Sequence, residues 1–391
     1  MEKLSEQAKA KPWMSFVLFA VVMALFLTAG VKMQTAWGML GLVLTELMFL
    51  LLAVVYALIT KVKFREMFPV RKITLRDLFG CMFLHLGGFL LSVISVMIVS
   101  LLIPSLLDEA EELNTALYGQ LPLIPTLLIV ALMPAVCEEA IHRGAILSGF
   151  RSLKKDWVIV LIMAILFGLN HVSVLRFFAT AILGAVLSYV VVKKNNILLS
   201  ILIHFVNNAI STLAGTMSQG EASYSQANVS AGLGVWLILG FLAPVFLVIG
   251  SKLLDPEHHK NSRFAVAGVF SALMLAGGIV SFAMSAFGNV LLNSTISYEI
   301  TEEQQDYSML GFDVEKDTSA NVVVVLTNAE GDYRIRIDGD KGSNIINADV
   351  PSGTLRTIQY QCDFQADHYD VYVVAGDNAI GEQPMIRVMI R

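Results

Sequence analysis

Three short clusters of polar residues interrupt long apolar stretches of this 391-residue chain. The first reads Ala135-Val136-Cys137-Glu138-Glu139-Ala140-Ile141-His142-Arg143-Gly144, the second Phe167-Gly168-Leu169-Asn170-His171, and the third His204-Phe205-Val206-Asn207-Asn208. Ionisable groups inside an apolar span are costly, so each is a functional hypothesis by default. On a helix Glu139 and Arg143 stand at i,i+4 and can pair on one face. Glu138 is turned by about 100° and lacks that partner. Two acids in different surroundings can hold different proton affinities and do different jobs. His204 and Asn208 share a face at the same spacing, as do Phe167 and His171. The chemistry these groups suit is hydrolysis. Glu138 can take a proton from water, and His171 can share that water or deliver the proton to a leaving amine. His204 and Asn208 can donate hydrogen bonds to the oxyanion of a tetrahedral intermediate. No Ser or Cys nucleophile is needed. Cys137, also about 100° around the helix from Glu138, reads as a packing residue.

The elements that must position these groups are membrane spans. Hydrophobic residues make up 56% of the chain and charged residues 15%, against roughly 25% charged in soluble domains. Mean hydropathy is +0.69. Apolar runs of about 20 residues, enough to cross a ~30 Å hydrocarbon core, recur at 13–31, 37–60, 77–104, 121–148, 157–173, 175–192, 196–216, 231–252 and 265–292. The first is expected to be a retained helix rather than a signal peptide. Basic residues cluster after the second span (Lys61, Lys63, Arg65, Arg71, Lys72, Arg76), the fourth (Arg151, Lys154, Lys155), the sixth (Lys193, Lys194) and the eighth (Lys252, Lys260, Arg263). The loop after the third span is acidic (Asp108, Glu109, Glu111, Glu112), and the Gly220–Ser230 loop has Glu221 alone. With nine spans every basic loop falls on one side, together with Lys3, Lys9 and Lys11. The positive-inside rule makes that side cytoplasmic.

The last hundred residues change character. Residues 296–391 hold 17 acidic and 7 basic residues, whereas the remainder holds 15 and 20. Short alternating or β-branched runs predict strands at Thr295–Ile300, Asn321–Thr327, Tyr333–Ile337, Thr354–Tyr360, Tyr369–Val374 and Met385–Ile390. Turn clusters at Glu330-Gly331-Asp332 and Asp338-Gly339-Asp340-Lys341-Gly342 separate them. The pattern predicts a small β-sandwich. The Asp-Gly-Asp run lacks the downstream Glu of a calcium loop and reads as a hairpin turn. The expected fold is therefore an all-α polytopic membrane helix bundle of about nine spans with a C-terminal extracytoplasmic β-sandwich-like domain. Cys81, Cys137 and Cys362 have no spacing suited to a structural zinc site.

The three clusters resemble the CPBP family of intramembrane proteases, which includes CAAX proteases and bacteriocin-processing, Abi-like enzymes. That family shows Glu-Glu-x-x-x-Arg, Phe-x-x-x-His and His-x-x-x-Asn on successive spans. Here these are Glu138-Glu139…Arg143, Phe167…His171 and His204…Asn208. The resemblance implies that Glu138 and His171 activate water, that His204 and Asn208 form the oxyanion hole, and that Glu139 and Arg143 support them. The resemblance covers roughly residues 120–215; with the spans and the change at the tail, the chain is expected to divide into N-terminal helices (1–115), a protease-like core (116–216), C-terminal helices (217–293) and the β domain (294–391). The function the resemblance implies is an intramembrane endopeptidase acting on a membrane-associated peptide or protein. The alternative is a non-proteolytic immunity, scaffold or secretion-accessory protein of the same family. No nucleic-acid partner is expected; an extracytoplasmic partner for residues 294–391 is. No cofactor is favoured. Zinc is the competing option, because Glu138, His171 and His204 could supply three ligands and leave an open position, yet no His-Glu-x-x-His is present.

Other polar residues read as structural. His85 is expected to pair with a backbone carbonyl or another span. His142 is placed near the inner interface, facing solvent or headgroups. Asn170 and Asn207 are expected to hydrogen-bond between helices. Phe167 packs the site, and His258-His259 lies in a solvated loop. A proton-coupled transporter built on the buried carboxylates is disfavoured by the lack of a clear internal repeat.

Overall fold

In lipid, a spanning backbone satisfies its own polar groups by forming helices, and the long apolar runs do so here. The computed structural model describes residues 10–103, 106–118, 120–217, 226–287, 291–301, 306–351 and 356–391. Lys3, Lys9 and residues 220–225, Glu221 among them, lie outside the described residues. The chain divides into two compact units, Met1–Phe282 and Ala283–Arg391.

The first unit contains α1 (Pro12–Trp37), α2 (Met39–Thr60), α3 (Leu75–Leu102), α4 (Leu106–Tyr118), α5 (Leu123–Phe150), α6 (Asp156–Asn170), α7 (Val174–Lys194), α8 (Ile197–Met217), α9 (Gly232–Leu254) and most of α10 (Ser262–Phe287). Eight of these are long and apolar enough to cross a membrane. The exception in the predicted set is the fifth span, expected at 157–173. It is α6, only 15 residues long, or about 22 Å at ~1.5 Å per residue. It ends at the turn that carries His171. The first two spans also differ from expectation: no loop separates them. Gly38, at φ 52° and ψ −123°, is the whole break between α1 and α2, and glycine tolerates such a conformation. The acidic segment expected as a loop is the amphipathic helix α4, whose Leu113 and Leu117 face inward.

Helix ends gather the basic loops on one face. Lys193 Nζ lies 2.8 Å from Asp156 at the start of α6 and 2.7 Å from Asp255 beyond α9. Lys194 Nζ lies 2.6 Å from Asp77, which with Thr74 forms the capping box that starts α3. Arg151 donates to Asn195 Oδ1 (2.7 Å), and the Ile197 amide to the Pro69 carbonyl (2.8 Å). The Lys11 carbonyl abuts Gly149. Burial would raise the Asp255 carboxyl, but hydrogen bonds from Lys193 and His258 outweigh it and hold it below the usual range.

The second unit is antiparallel. Its strands are β1 (Leu292–Ser297), β2 (Asp306–Val314), β3 (Thr318–Thr327), β4 (Tyr333–Gly339), β5 (Asn344–Asp349), β6 (Arg356–Phe364), β7 (Asp367–Ala375) and β8 (Met385–Ile390). They form two four-stranded sheets, ordered β1-β8-β3-β6 and β2-β7-β4-β5. Alternate residues of both sheets, among them Val322, Val324, Ile335, Ile337, Val371, Val373, Ile386 and Val388, form one core, as expected of a sandwich. The strands β2 and β5 are additional to those read from sequence. The Asp338–Gly342 run is the expected hairpin turn between β4 and β5, with Gly342 at φ 86°.

Candidate active site

The site is assembled around an irregular stretch of α5. Two π-helical segments, Leu127–Leu132 and Ala140–Ile146, flank the turn that carries Glu138 and Glu139. Such widened turns are frequent at functional sites. Pro134 sits just before this turn and has no N–H to give to the Val130 carbonyl, its α-helical partner. Asn208 of α8 donates to that carbonyl instead, at 3.4 Å. A backbone defect in α5 thus fixes a side chain of α8. Asn207 donates to Asn208 Oδ1 (3.2 Å) and holds its other end.

Glu139 and Arg143 are fully buried and paired at 2.8 Å. Glu139 Oε1 also accepts from His204 Nδ1 at 3.0 Å. Arg143 reaches the Gly184 carbonyl of α7 (3.1 Å) and lies 4.3 Å from the centre of the Phe167 ring. Gly184 is needed there, because a Cβ would stand 2.9 Å from Phe167 Cβ. Phe167 presents its ring to the rings of His142, His171 and His204, with centroids 5.0, 5.0 and 5.7 Å away. His204 Nε2 points toward Glu138, 4.0 Å from Oε2. Among the described residues Glu138 Oε2 has no hydrogen-bond partner.

His171 caps α6. Its Nδ1–H donates to the Phe167 carbonyl (2.9 Å), which leaves Nε2 as the acceptor nitrogen. The following Val172 has φ 47°, an uncommon conformation for a β-branched residue. Ser173 then accepts from the Arg176 amide (3.2 Å) as the N-cap of α7. The sharp turn returns the chain beside α6 and sets His171 facing the cavity.

That cavity encloses about 460 Å³ and is lined by Glu46, Glu138, Phe167, Asn170, His171, Arg176, His204, Asn207 and Asn208, with apolar walls from α1, α2, α3, α4 and α7. Its lining residues come from the middle of each helix or from the half distant from the basic face.

Residues 120–210 match the family model described as Rce1-like, type II CAAX prenyl endopeptidase. The match supports the CAAX protease family for this segment, which is less than half of the chain. No curated protein and no solved structure matches the chain. That family description is of an endopeptidase, and three helices of the segment, α5, α7 and α8, are long and apolar enough to cross a membrane.

Its three motifs converge. Glu138, His171, His204 and Asn208 all line the one cavity, and Glu139 pairs with Arg143 beneath it. Helical spacing alone separated the two glutamates, yet His204 spans both, because α8 lies across the turn and presents one ring nitrogen to each. Three other expectations are corrected. His142 is fully buried rather than facing headgroups: α5 continues to Phe150 inside the protein, and its Nδ1–H donates to the Glu138 carbonyl at 2.9 Å. His85 is buried with neither ring nitrogen partnered. Among the described residues Asn170 makes no interhelical hydrogen bond; it faces the cavity with Oδ1 unpartnered. Two lining charges went unnoticed in the sequence. Glu46, in the middle of α2, carries the same signal as Glu138: an acid inside an apolar run. Arg176 sits among the first residues of α7, where it reads as an interfacial base.

Proposed function

We propose that this chain is an intramembrane endopeptidase in which Glu138 is the general base. The observation that carries this reading is the unpartnered Oε2 of buried Glu138, facing a cavity that also presents His171, His204 and Asn208. A buried carboxylate oxygen left without a partner is expensive, and a water bound in the cavity gives it one. Glu138 takes a proton from that water as the oxygen adds to the carbonyl carbon of the substrate. His171, its Nδ1–H fixed on Phe167, offers Nε2 to the same water and can carry the proton onward. Collapse of the tetrahedral intermediate breaks the C–N bond, and the proton goes to the leaving amine.

Asn208 and His204 face the developing oxyanion. One Asn208 N–H is held on Val130, leaving the other to donate. His204 gives Nδ1–H to Glu139, so Nε2 donates in the imidazolium form, whose charge Glu139 balances. Arg143 anchors Glu139 and so positions His204. Glu138, Glu139, Arg143 and the imidazolium of His204 then form a neutral set, suited to a water-poor site. The reading is metal-free: among the described residues no three His, Cys, Asp or Glu side chains converge as metal ligands. The basic face is assigned to the cytoplasm, which puts the acidic β unit outside a cell membrane, where it can meet a partner.

The test is cleavage of membrane-spanning peptides by purified wild type and Glu138→Ala, each with and without chelator. Cleavage by wild type alone, unaffected by chelator, is expected. Equal cleavage by both proteins sinks the role of Glu138; loss on chelation with recovery on adding zinc overturns the metal-free mechanism.

A further inference from the structure

Glu46 is the buried charge that this mechanism does not use. It is 3% exposed, lines the cavity, and makes no hydrogen bond or ion pair among the described residues. Helix α2 packs against the α5 turn carrying Glu138, and the two carboxyl groups lie within electrostatic reach of each other. The remaining charged or ionisable groups around the site are accounted for differently. Arg143 and His204 serve Glu139, while His142 and His171 are tied by Nδ1 to backbone carbonyls. Arg176 acts on Glu138 and His171, and no cation among the described residues acts on Glu46.

An acid in that position is set to receive a cation from outside the protein. A buried acid without a counter-charge is held in its neutral form, and a cation brought beside it stabilises the ionised form and pairs with it. Charge along the chain points the same way. Helix α4, whose Leu113, Asn114, Leu117 and Tyr118 wall the cavity, has the sequence Leu106-Leu-Asp-Glu-Ala-Glu-Glu-Leu-Asn-Thr-Ala-Leu-Tyr118, with four acids and no base. The apolar walls suit a membrane segment, and Glu46 adds to them an acid that makes no ion pair among the described residues.

We propose that Glu46 determines specificity: it pairs with a lysine or arginine side chain of the substrate close to the scissile bond. The substrate class is a membrane-embedded peptide with an isolated basic residue near the point of cleavage. This rests on the protease reading above, and the experiment separates the two.

N-acetylated membrane-spanning peptides, in which one lysine is moved through the sequence, are compared with the same peptides bearing norleucine. Products are identified by mass spectrometry, and acetylation removes the terminal ammonium as a rival cation. For wild type, cleavage beside lysine is expected to exceed cleavage of the norleucine peptide by at least about tenfold in kcat/KM. In Glu46→Gln, which keeps the side-chain shape, that ratio collapses toward one. In Glu46→Lys the preference shifts to peptides with glutamate at the same place. Glu138-dependent cleavage with no lysine preference, or a preference that persists in Glu46→Gln, overturns the role of Glu46 and leaves the protease standing. No Glu138-dependent cleavage of any peptide overturns both.

Discussion

The two units treat buried polar groups in opposite ways. In the β unit they are satisfied internally. Arg356, 4% exposed, donates to the carbonyls of Gly331 and Glu330. Tyr333 donates to Glu382, which also accepts from the amides of Glu330 and Gly331. Tyr369 donates to the Gln365 carbonyl. Among the described residues, every buried side-chain oxygen or nitrogen without a partner lies in the helical unit. Several of these orphans, on Glu46, Glu138 and Asn170, belong to residues of the cavity wall. Each orphan of this kind costs about 1–3 kcal/mol. One unit has arranged its polar groups for stability; the other keeps some in reserve for something that enters.

The comparison is broken most directly at Glu138. Replacing it with Gln removes the proposed base and a buried carboxylate oxygen that no hydrogen bond satisfies among the described residues. Cleavage is expected to fall at least about 10³-fold, while resistance to unfolding stays the same or rises. Peptide cleavage and SDS-induced unfolding of one preparation test both halves. A variant that loses activity and stability together places Glu138 among structural residues and removes the contrast.

Arg143 is the opposite case, a charge held against a carboxylate at 2.8 Å. Changing it to Met strips Glu139 of its cation and frees the Gly184 carbonyl, for an expected loss of about 3–5 kcal/mol. The double variant Glu139→Gln, Arg143→Met should recover much of that loss, because no buried charge is left alone. SDS unfolding curves of the single and double variants check this. A single variant within about 1 kcal/mol of wild type would mean that the pair does not hold the bundle together.

How much of this was legible in the sequence follows the same division. Apolar runs located the eight helices long enough to span, although α1 runs on to Trp37 and α6 is short, and the three clusters led to the residues that meet at the cavity. Missing were features set by tertiary contact. Nothing local says that the helix after Arg151 stops near 22 Å, because its end is fixed by the turn at Val172. The Glu139–His204 bond depends on how α8 crosses α5, which i,i+4 spacing within one helix does not contain. Glu46 was readable by the rule applied to Glu138, but one acid with no neighbouring His or Arg makes no cluster. In the β unit, β2 and β5 escaped notice because their apolar residues are interrupted by Gly311 and by Asn344 and Asn347; pairing with β7 and β4 makes them strands.

Within the β unit the contrast is sharpened by removing a satisfied group. Arg356→Ala leaves two carbonyls at the β3–β4 turn without their donor, for an expected loss of about 1–3 kcal/mol. Hydrogen exchange on the full chain should show faster exchange from Leu326 to Ile335 and unchanged exchange in α5 and α8, with cleavage retained. Faster exchange at the helical site would show that the polar bonds of the β unit also support the cavity, which the division into two units does not predict.

The smallest expected effect is at the surface. His368 Nδ1 lies 2.7 Å from Asp313 Oδ1, with Asp370 3.9 Å from Nε2. The hydrogen bond to Asp313 raises the imidazole above its ordinary value near 6.5. A raised value means that the fold favours the protonated ring. Its contribution is therefore complete below the ordinary value and fades as pH rises through the raised one. Following the His368 ring proton by NMR should show the raised midpoint in wild type and a lower one in Asp313→Asn. Equal midpoints would mean that the pair contributes nothing. Since this exposed pair is screened by solvent, its titration should leave cleavage unchanged. A pH dependence of cleavage that moves with Asp313→Asn would tie the sandwich to the chemistry, and the contrast between a self-contained unit and a waiting one would no longer hold.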